Sequence, residues 1–354
     1  MTTPFIRNVV DGQNKANSVG AYISNTEWGY GISNVAVSMT NNIVNNNTYG
    51  FDFESANGDT VTCSGYPNLM TGNGTAVFTD SVLVIYGGNG TAGTLATDVR
   101  GYWWGSVNPP SVSGPTAGEV IYSPWLGIGT DADLVTMGFQ AVSPMTWYAN
   151  SSSTLQSAVN FVAAGDILKV LSGTYTEQVE VAKTLTLCNA SNVNPILQSP
   201  VTLTKYFVTS ANNFPILYVH DAASVVVRNF TIDGAGRGNG NYRFMGIGYF
   251  NAGGTIDSCL VKDVRETPIN GDQHGNAIYA YVNNATPRTL NVSNCVVNGF
   301  QKNGITTNGT GMTGIITNNV VTGAGAIDFN AQNGIQIGFG ATGTVSGNNV
   351  TGVS

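Results

Sequence analysis

Residues 289–300, TLNVSNCVVNGF, and residues 313–323, TGIITNNVVTG, decide the fold, because each reads as a short alternating strand, a polar corner and a second short strand. The same phrase stands at 255–264 (TIDSCLVKDV) and 342–352 (TGTVSGNNVTG), which puts Cys259, Cys295, Asn319 and Asn349 at intervals of 36, 24 and 30. A second register runs beside it through MGIGYF, GNAIYAYV, KNGITTNG and QNGIQIGFG, with Ile247, Ile278, Ile305 and Ile335 at intervals of 31, 27 and 30. Two strand registers in a unit of this length, with no helix in it, describe one coil of a solenoid. A single coil cannot bury its own apolar face, so inward Val, Ile, Leu and Phe must stack on the coils above and below. The asparagines fit the same plan. Asn tolerates the left-handed backbone, and its amide can reach the same position one coil away, about 4.8 Å along the axis. A sandwich would need closer strand spacing and hairpin turns.

The first hundred residues carry the same repeat, with NSVGAYIS at 17–24 and NTYGFDFES at 47–55 setting Gly20 and Gly50 30 residues apart. Composition agrees: 45 glycines and 9% charged residues in 354 favour strands and turns. A net charge of −7, with 13 thinly spread basic residues, offers no basic patch for nucleic acid. No apolar run approaches the roughly 20 residues of a membrane span, and MTTPFIRNVV lacks the regions of a signal peptide. Cys63, Cys188, Cys259 and Cys295 form no CxxC pair. They read as isolated thiols, with Cys259 and Cys295 placed to stack on neighbouring coils and a disulfide between them left open.

Between these repeats lies a stretch that reads as an end followed by a beginning. GYWWG at 101–105, a Pro/Gly/Ser run through Gly118 and EVIYSPWLG at 119–127 read as a closing cap, with Trp103, Trp104, Trp125 and Leu126 shielding a core end. An aromatic carbohydrate platform is the competing reading of those tryptophans. After a segment at 127–150, STLQSAVNFV places Leu155, Val159 and Val162 on one helical face, able to cover the first coil of a second core. The segment itself carries Leu134, Val135, Met137, Phe139 and Trp147, too apolar for a free spacer, and is expected to pack on a cap.

At these residues the chain resembles the right-handed parallel β-helix, or pectin-lyase-like, superfamily. GDILKVLSGTYTEQVEVAKTLTL at 165–187 is similar to the opening coil of many members, and YWWGS with IYSPWL is similar to a terminal cap of large bacterial surface proteins of the class. The resemblance implies an all-β, right-handed parallel β-helix solenoid in two half-domains with a short capping helix. Residues 1–126 would be the closing half of one β-helix, 127–150 a linker, and 151–354 the opening half of another. Both chain ends then read as uncapped coils, so Phe5, Ile6, Val9 and Val10 at one end and Val345, Val350 and Val353 at the other are the expected assembly interface. Head-to-tail association into an extracellular filament or adhesin stalk, docking within one chain as a permutant, and a repeat cut from a longer protein all satisfy this pattern.

Other classes need a site. The paired-Asp and Gly-His-Gly pattern of hydrolases in this superfamily is missing, as are the epimerase and lyase signatures, so the chain is not expected to be an enzyme. Polysaccharide binding or cleavage and a phage tail fibre or spike are the alternatives. The best local cluster is Lys262, Asp263, Arg265, Glu266, Asp272 and His274, read as an inserted loop between coils, with Arg237 and Arg243 near the same face. A solvated charged loop is the plain reading of it. No cofactor is expected. Asp131 and Asp133 hint at calcium, but two carboxylates fall short of the six to eight oxygens it takes. The sequons at Asn73, Asn89, Asn229 and Asn349 are what so much Asn and Thr supplies by chance.

Overall fold

The computed structural model describes residues 2–24, 34–56, 59–82, 93–114, 120–222, 224–284 and 286–353. Residues 115–119 of the predicted closing cap, and the sequon at Asn89, lie outside the described residues. The chain divides into two compact units, Met1–Tyr148 and Ala149–Ser354.

Each unit is a parallel β-helix with three sheets, visited in the same order on every coil. In the second unit the first sheet stacks Ile167–Val170, Leu185–Asn189, Val225–Arg228, Gly254–Asp257, Arg288–Ser293, Met312–Thr317 and Thr342–Ser346. The second stacks Gly173–Thr176, Pro195–Gln198, Thr231–Asp233, Leu260–Lys262, Val296–Asn298, Val320–Thr322 and Asn349–Thr351. The third stacks Val179–Val181, Asn212–His220, Phe244–Phe250, Asn276–Tyr281, Asn303–Asn308 and Asn333–Gly338. The first unit repeats the plan from Thr3–Ile6, Val9–Asp11 and Val19–Ser24 onward.

Registers follow the apolar ladder. Ile247, Ile278, Ile305 and Ile335 are directly paired in sequence order, and the pairs Val19↔Tyr49 and Ala21↔Phe51 align Gly20 with Gly50. Period-two alternation turns one residue of each pair inward, so Leu217, Val219, Ile247, Ile278 and Ile305 are fully buried.

The corner between the first and second sheets shows why Asn recurs in pairs. Asn229, Ser258, Asn294, Asn318 and Gly347 all take the left-handed conformation there, with φ between 54° and 67°, which only Gly and short polar residues adopt cheaply. The residue after each turns inward. Asn319 accepts the Cys295 N–H at Oδ1 (2.9 Å), while its amide donates to Val292 O (2.9 Å) and to Asn348 Oδ1 (2.9 Å). The first unit builds the same corner from Asn8, Asn42 and Asn68, with Asn42 Nδ2 donating to Phe5 O and to Asn68 Oδ1, each at 2.8 Å. Backbone donors stranded at a sharp corner are thereby satisfied by the next coil's side chain. The ladder ends on Asn348, not Asn349, because Val320 pairs with Asn349. Gly347 replaces the expected Asn at the left-handed position, which shifts the apparent Asn-Asn motif by one residue.

The four cysteines are free, and the pairing Leu260↔Val296 sets Cys259 and Cys295 at the same corner position on adjacent coils.

The predicted helix is Leu155–Phe161, with Leu155, Val159 and Val162 buried and Val162 serving as its C-cap. The Thr154 hydroxyl accepts the Ser157 N–H, and the Glu177 carboxylate accepts those of Leu155 (2.7 Å) and Gln156 (2.9 Å). Lys183 donates to the carbonyls of Asn160 and Val162 at the other end. An anion at the N-terminus and a cation at the C-terminus both complement the helix dipole.

The segment at 127–150 clusters with the first unit through Tyr148. Its apolar residues divide: Phe139 and Trp147 are buried, with the Phe139 N–H on Asn41 O at 2.9 Å, while Leu134, Val135 and Met137 are 89%, 95% and 67% exposed. Asp131 and Asp133 account for that split by accepting backbone N–H groups from Asp133, Val135 and Thr136 in tight turns that point the intervening side chains outward. Trp125 and Leu126 are fully buried and pair antiparallel with Tyr148 and Trp147, Trp104 stacks on Tyr102 with centroids 5.2 Å apart, and Trp103 packs against Gly129.

Candidate functional site

Variable chain collects at one corner of the second unit, between the second and third sheets. There the connections 199–211, 234–243 and 263–275 follow one another coil by coil. They are ordered by an extension of the ladder: Gly234 N–H donates to Lys262 O (2.8 Å), Gly236 to Asp263 O (3.0 Å) and Gly238 to Arg265 O (2.9 Å). Loops held on a rigid scaffold are where binding groups concentrate.

The structure splits the predicted charged cluster in two. Lys262 is in a second-sheet strand, not in the loop, and its ammonium pairs with Asp233 (3.0 Å) and Asp263 (3.3 Å). The Asp233 hydrogen bond raises the Lys262 pKa against the opposing effect of burial. Arg265 faces Asp263 (3.7 Å) and donates to Glu266 O (3.0 Å), so these four residues knit adjacent coils. Glu266, Asp272 and His274 form the other group. His274 Nε2 lies 3.5 Å from Glu266 Oε1 and 3.9 Å from Asp272 Oδ2. Gln301, on the next coil, grips Glu266 twice, its Oε1 accepting the Glu266 N–H (2.8 Å) and its Nε2 donating to Oε2 (3.0 Å). Nothing in the charge pattern announced Gln301, an uncharged residue 35 positions away.

Arg237 donates to Ser199 O and serves the loop stack. Arg243 belongs to a groove that the sequence reading missed, on the outer face of the third sheet. The hairpin made by Phe207–Val208 and Asn212–His220 folds over that face. Phe207 fills the place left by Gly248, where a Cβ would stand 3.3 Å from its ring, and stacks on Phe250 (4.8 Å), Tyr218 (5.9 Å) and Tyr279 (6.1 Å). Beyond it opens a groove of about 460 Å³ lined by Val208, Thr209, Ser210, Arg243, Tyr279, Tyr281, Asn283 and Phe339. Tyr279 and Tyr281 lie stacked at 6.5 Å on its floor, and burial raises the Tyr279 pKa, keeping its hydroxyl a neutral donor. Arg243 is held by Thr209 Oγ1 (3.0 Å) and Ser210 Oγ (2.9 Å), which leaves guanidinium donors free for a ligand. The available signal was alternation: Tyr279 and Tyr281 alternate with the inward Ile278 and Ala280 in IYAY. At the upper end of the same face Glu180 meets Lys205 and His220. Burial pushes its carboxyl up, but hydrogen bonds from Lys205 and His220 outweigh that and leave it below the ordinary value.

A larger cleft, about 610 Å³, lies beside the turn at 190–194 and is lined by Asn, Ser and Thr residues with Val193, Phe230 and Leu260, and by no charged group. We place the candidate site in the smaller groove because it joins an aromatic floor to a fixed cation, the combination that orients a ligand.

The predicted assembly residues divide by the strand period. Register turns Phe5, Val10, Val345 and Val350 toward the core, opposite Met39, Val44, Ile316 and Val321. Ile6 and Val9, at 50% and 54% exposure, point outward and do not extend the core surface. Val345, Val350 and Val353 are 47%, 38% and 38% exposed and line a 490 Å³ depression at the last described coil with Ile335.

No family model matches the chain, and no curated protein matches it. Among solved structures it is similar to an arginine-to-alanine mutant of the PL6 family alginate lyase AlyGC, at 13% identity and a TM-score of 0.21, over 98% of this chain and 68% of that one. At that score the likeness carries no argument. The parallel β-helix stands on the strand pairing. Among the described residues no helix is long and apolar enough to cross a membrane.

Proposed function

We propose that the second unit binds an extended polysaccharide along the outer face of its third sheet, outside the cell. The observation that carries this reading is the juxtaposition of the stacked Tyr279 and Tyr281 with Arg243 in one open groove. Aromatic rings offer a flat apolar surface with a polar rim, which suits the C–H face of a sugar ring, and a guanidinium recognises a carboxylate with two parallel hydrogen bonds. An amide pair lies at the groove, with Asn251 donating to the lining Asn283 at 2.9 Å. A polyuronate is therefore the first ligand to test. In titration calorimetry of the full chain, a uronate oligosaccharide is expected to bind more tightly than a neutral one. Tyr279→Ala is expected to weaken both by about tenfold, roughly 1.4 kcal/mol, and Arg243→Ala to remove only the preference for uronate. Unchanged binding in both variants would place the ligand elsewhere.

A second reading, a stalk unit that stacks coil on coil, is supported by the exposed core-facing Val345 and Val350 of the last described coil. An apolar coil edge is covered either by further coils of the polypeptide or by another copy. Sedimentation velocity should then show concentration-dependent association that Val350→Asp abolishes. A monomer at every concentration would remove self-association from consideration.

A further inference from the structure

We propose that Glu266, Asp272 and His274 form a binding site for a divalent transition-metal cation, with zinc as the fitting ion. The chain has two histidines, and they differ in a way that points to the ion. His220 has a carboxylate at hydrogen-bonding distance from each ring nitrogen, Glu180 at 2.9 Å and Asp221 at 3.0 Å, so both nitrogens are partnered. His274 has neither contact. Its side chain is only 4% exposed, its Nδ1 has no partner, and its Nε2 faces two carboxylates from 3.5 and 3.9 Å. Those separations lie beyond an ordinary hydrogen bond. They approach the spacing of two ligands across a metal, since donors about 2.0–2.2 Å from a tetrahedral zinc stand roughly 3.3–3.6 Å from each other.

The surroundings supply two carboxylate ligands beside the imidazole. Ligand atoms of all three residues lie within 4.8 Å of one another. Gln301 holds Glu266 Oε2, leaving Oε1 turned toward the imidazole. Asp272, 63% exposed, closes the outer side, where its side chain has room to move toward the imidazole. Among the described residues no Lys or Arg pairs with either carboxylate, because Arg265 is spent on Asp263 and on the Glu266 carbonyl. A bound cation offsets their repulsion and satisfies the imidazole Nε2. One imidazole with two carboxylates selects zinc over calcium, which takes a shell of six or more oxygens.

The test is calorimetric titration of the untagged full chain, after chelator treatment and removal of the chelator, with zinc chloride and separately with calcium chloride. The expected result is one zinc per chain with calcium at least a hundredfold weaker. Asp272→Asn, at an exposed position, is expected to weaken zinc at least tenfold. His274→Gln is expected to abolish binding, and His220→Gln to leave it unchanged. Circular dichroism of each variant checks that it is folded, and cobalt substitution should give a visible spectrum that His274→Gln loses. Absence of zinc binding in the wild-type chain, equal affinity for calcium, or binding that survives both Asp272→Asn and His274→Gln would overturn the proposal.

Discussion

Five residues down one corner of the second unit, Phe230, Cys259, Cys295, Asn319 and Asn348, and five down the outer face of its third sheet, Tyr218, Gly248, Tyr279, Thr306 and Gln336, are stacked by the same backbone ladder. Their side chains do opposite work. At the corner each must fill an inward space or satisfy the backbone of the coil before it, so the choice is narrow: an apolar side chain, a thiol, or an Asn whose amide reaches Val292 O and Asn348 Oδ1. On the outer face the sheet is already complete, and its side chains pack on one another: Thr306 is fully buried, while the half-buried Tyr279 and Gln336 keep a ring and an amide at the surface. The comparison teaches that repetition in this chain reports on the corners and the core, while departures from repetition, in the loops and the outer face, report on function.

The largest expected effect breaks the inward ladder on which both regions rest. Ile305 is fully buried between Ile278 and Ile335, and Ile305→Ala should cost about 2–5 kcal/mol, read as a lowered urea midpoint. A loss below about 1 kcal/mol would mean that the ladder is looser than described.

The corner comes next. Asn319→Ala strands the Cys295 N–H in a position only 1% exposed and should cost about 1–3 kcal/mol while leaving oligosaccharide affinity unchanged. If affinity fell with stability, corner and face would not be separable.

Acid should sharpen the contrast most gently. Glu180 is held below its ordinary value by Lys205 and His220 against the opposing effect of burial, and Asp257 likewise by Asn294, Ser293, Ser258 and Arg228. A depressed folded pKa means that the unfolded chain binds more protons across this range. The contribution of these two carboxylates is therefore complete above the ordinary carboxylate range, near pH 4, and is lost as pH falls through their lower folded values. Urea midpoints between about pH 6 and pH 3 should decline, and less steeply in Glu180→Gln. An equal slope in that variant would remove Glu180 from the explanation.

Much of the scaffold was legible because its physics repeats. The Ile247–Ile335 ladder and the Gly20–Gly50 alignment follow from spacing alone, since a one-residue slip would turn every inward side chain out. The corner was legible to within one residue. The spacing marks Asn349, one residue past the true ladder position Asn348, because Gly and Asn are interchangeable at a left-handed position and the Asn-Asn pair is not a fixed landmark. Charge drew attention to Glu266, Asp272 and His274, yet it also gathered in Lys262, Asp263 and Arg265, which bind one another and Asp233. Sequence could not separate the two groups, because Gln301 and the loop stacking that divide them come from neighbouring coils. The groove was hidden for another reason: Tyr279 and Tyr281 alternate with core residues, and an aromatic in a strand is read first as core.

Hydrogen–deuterium exchange of the full chain with and without a saturating uronate oligosaccharide tests the division of labour most directly. The account predicts added protection in the hairpin at 207–213 and in Asn276–Tyr281, with the corner amides at Cys295 and Asn319 equally protected in both states. Protection confined to the loop at 263–275, or spread evenly over the coils, would contradict it.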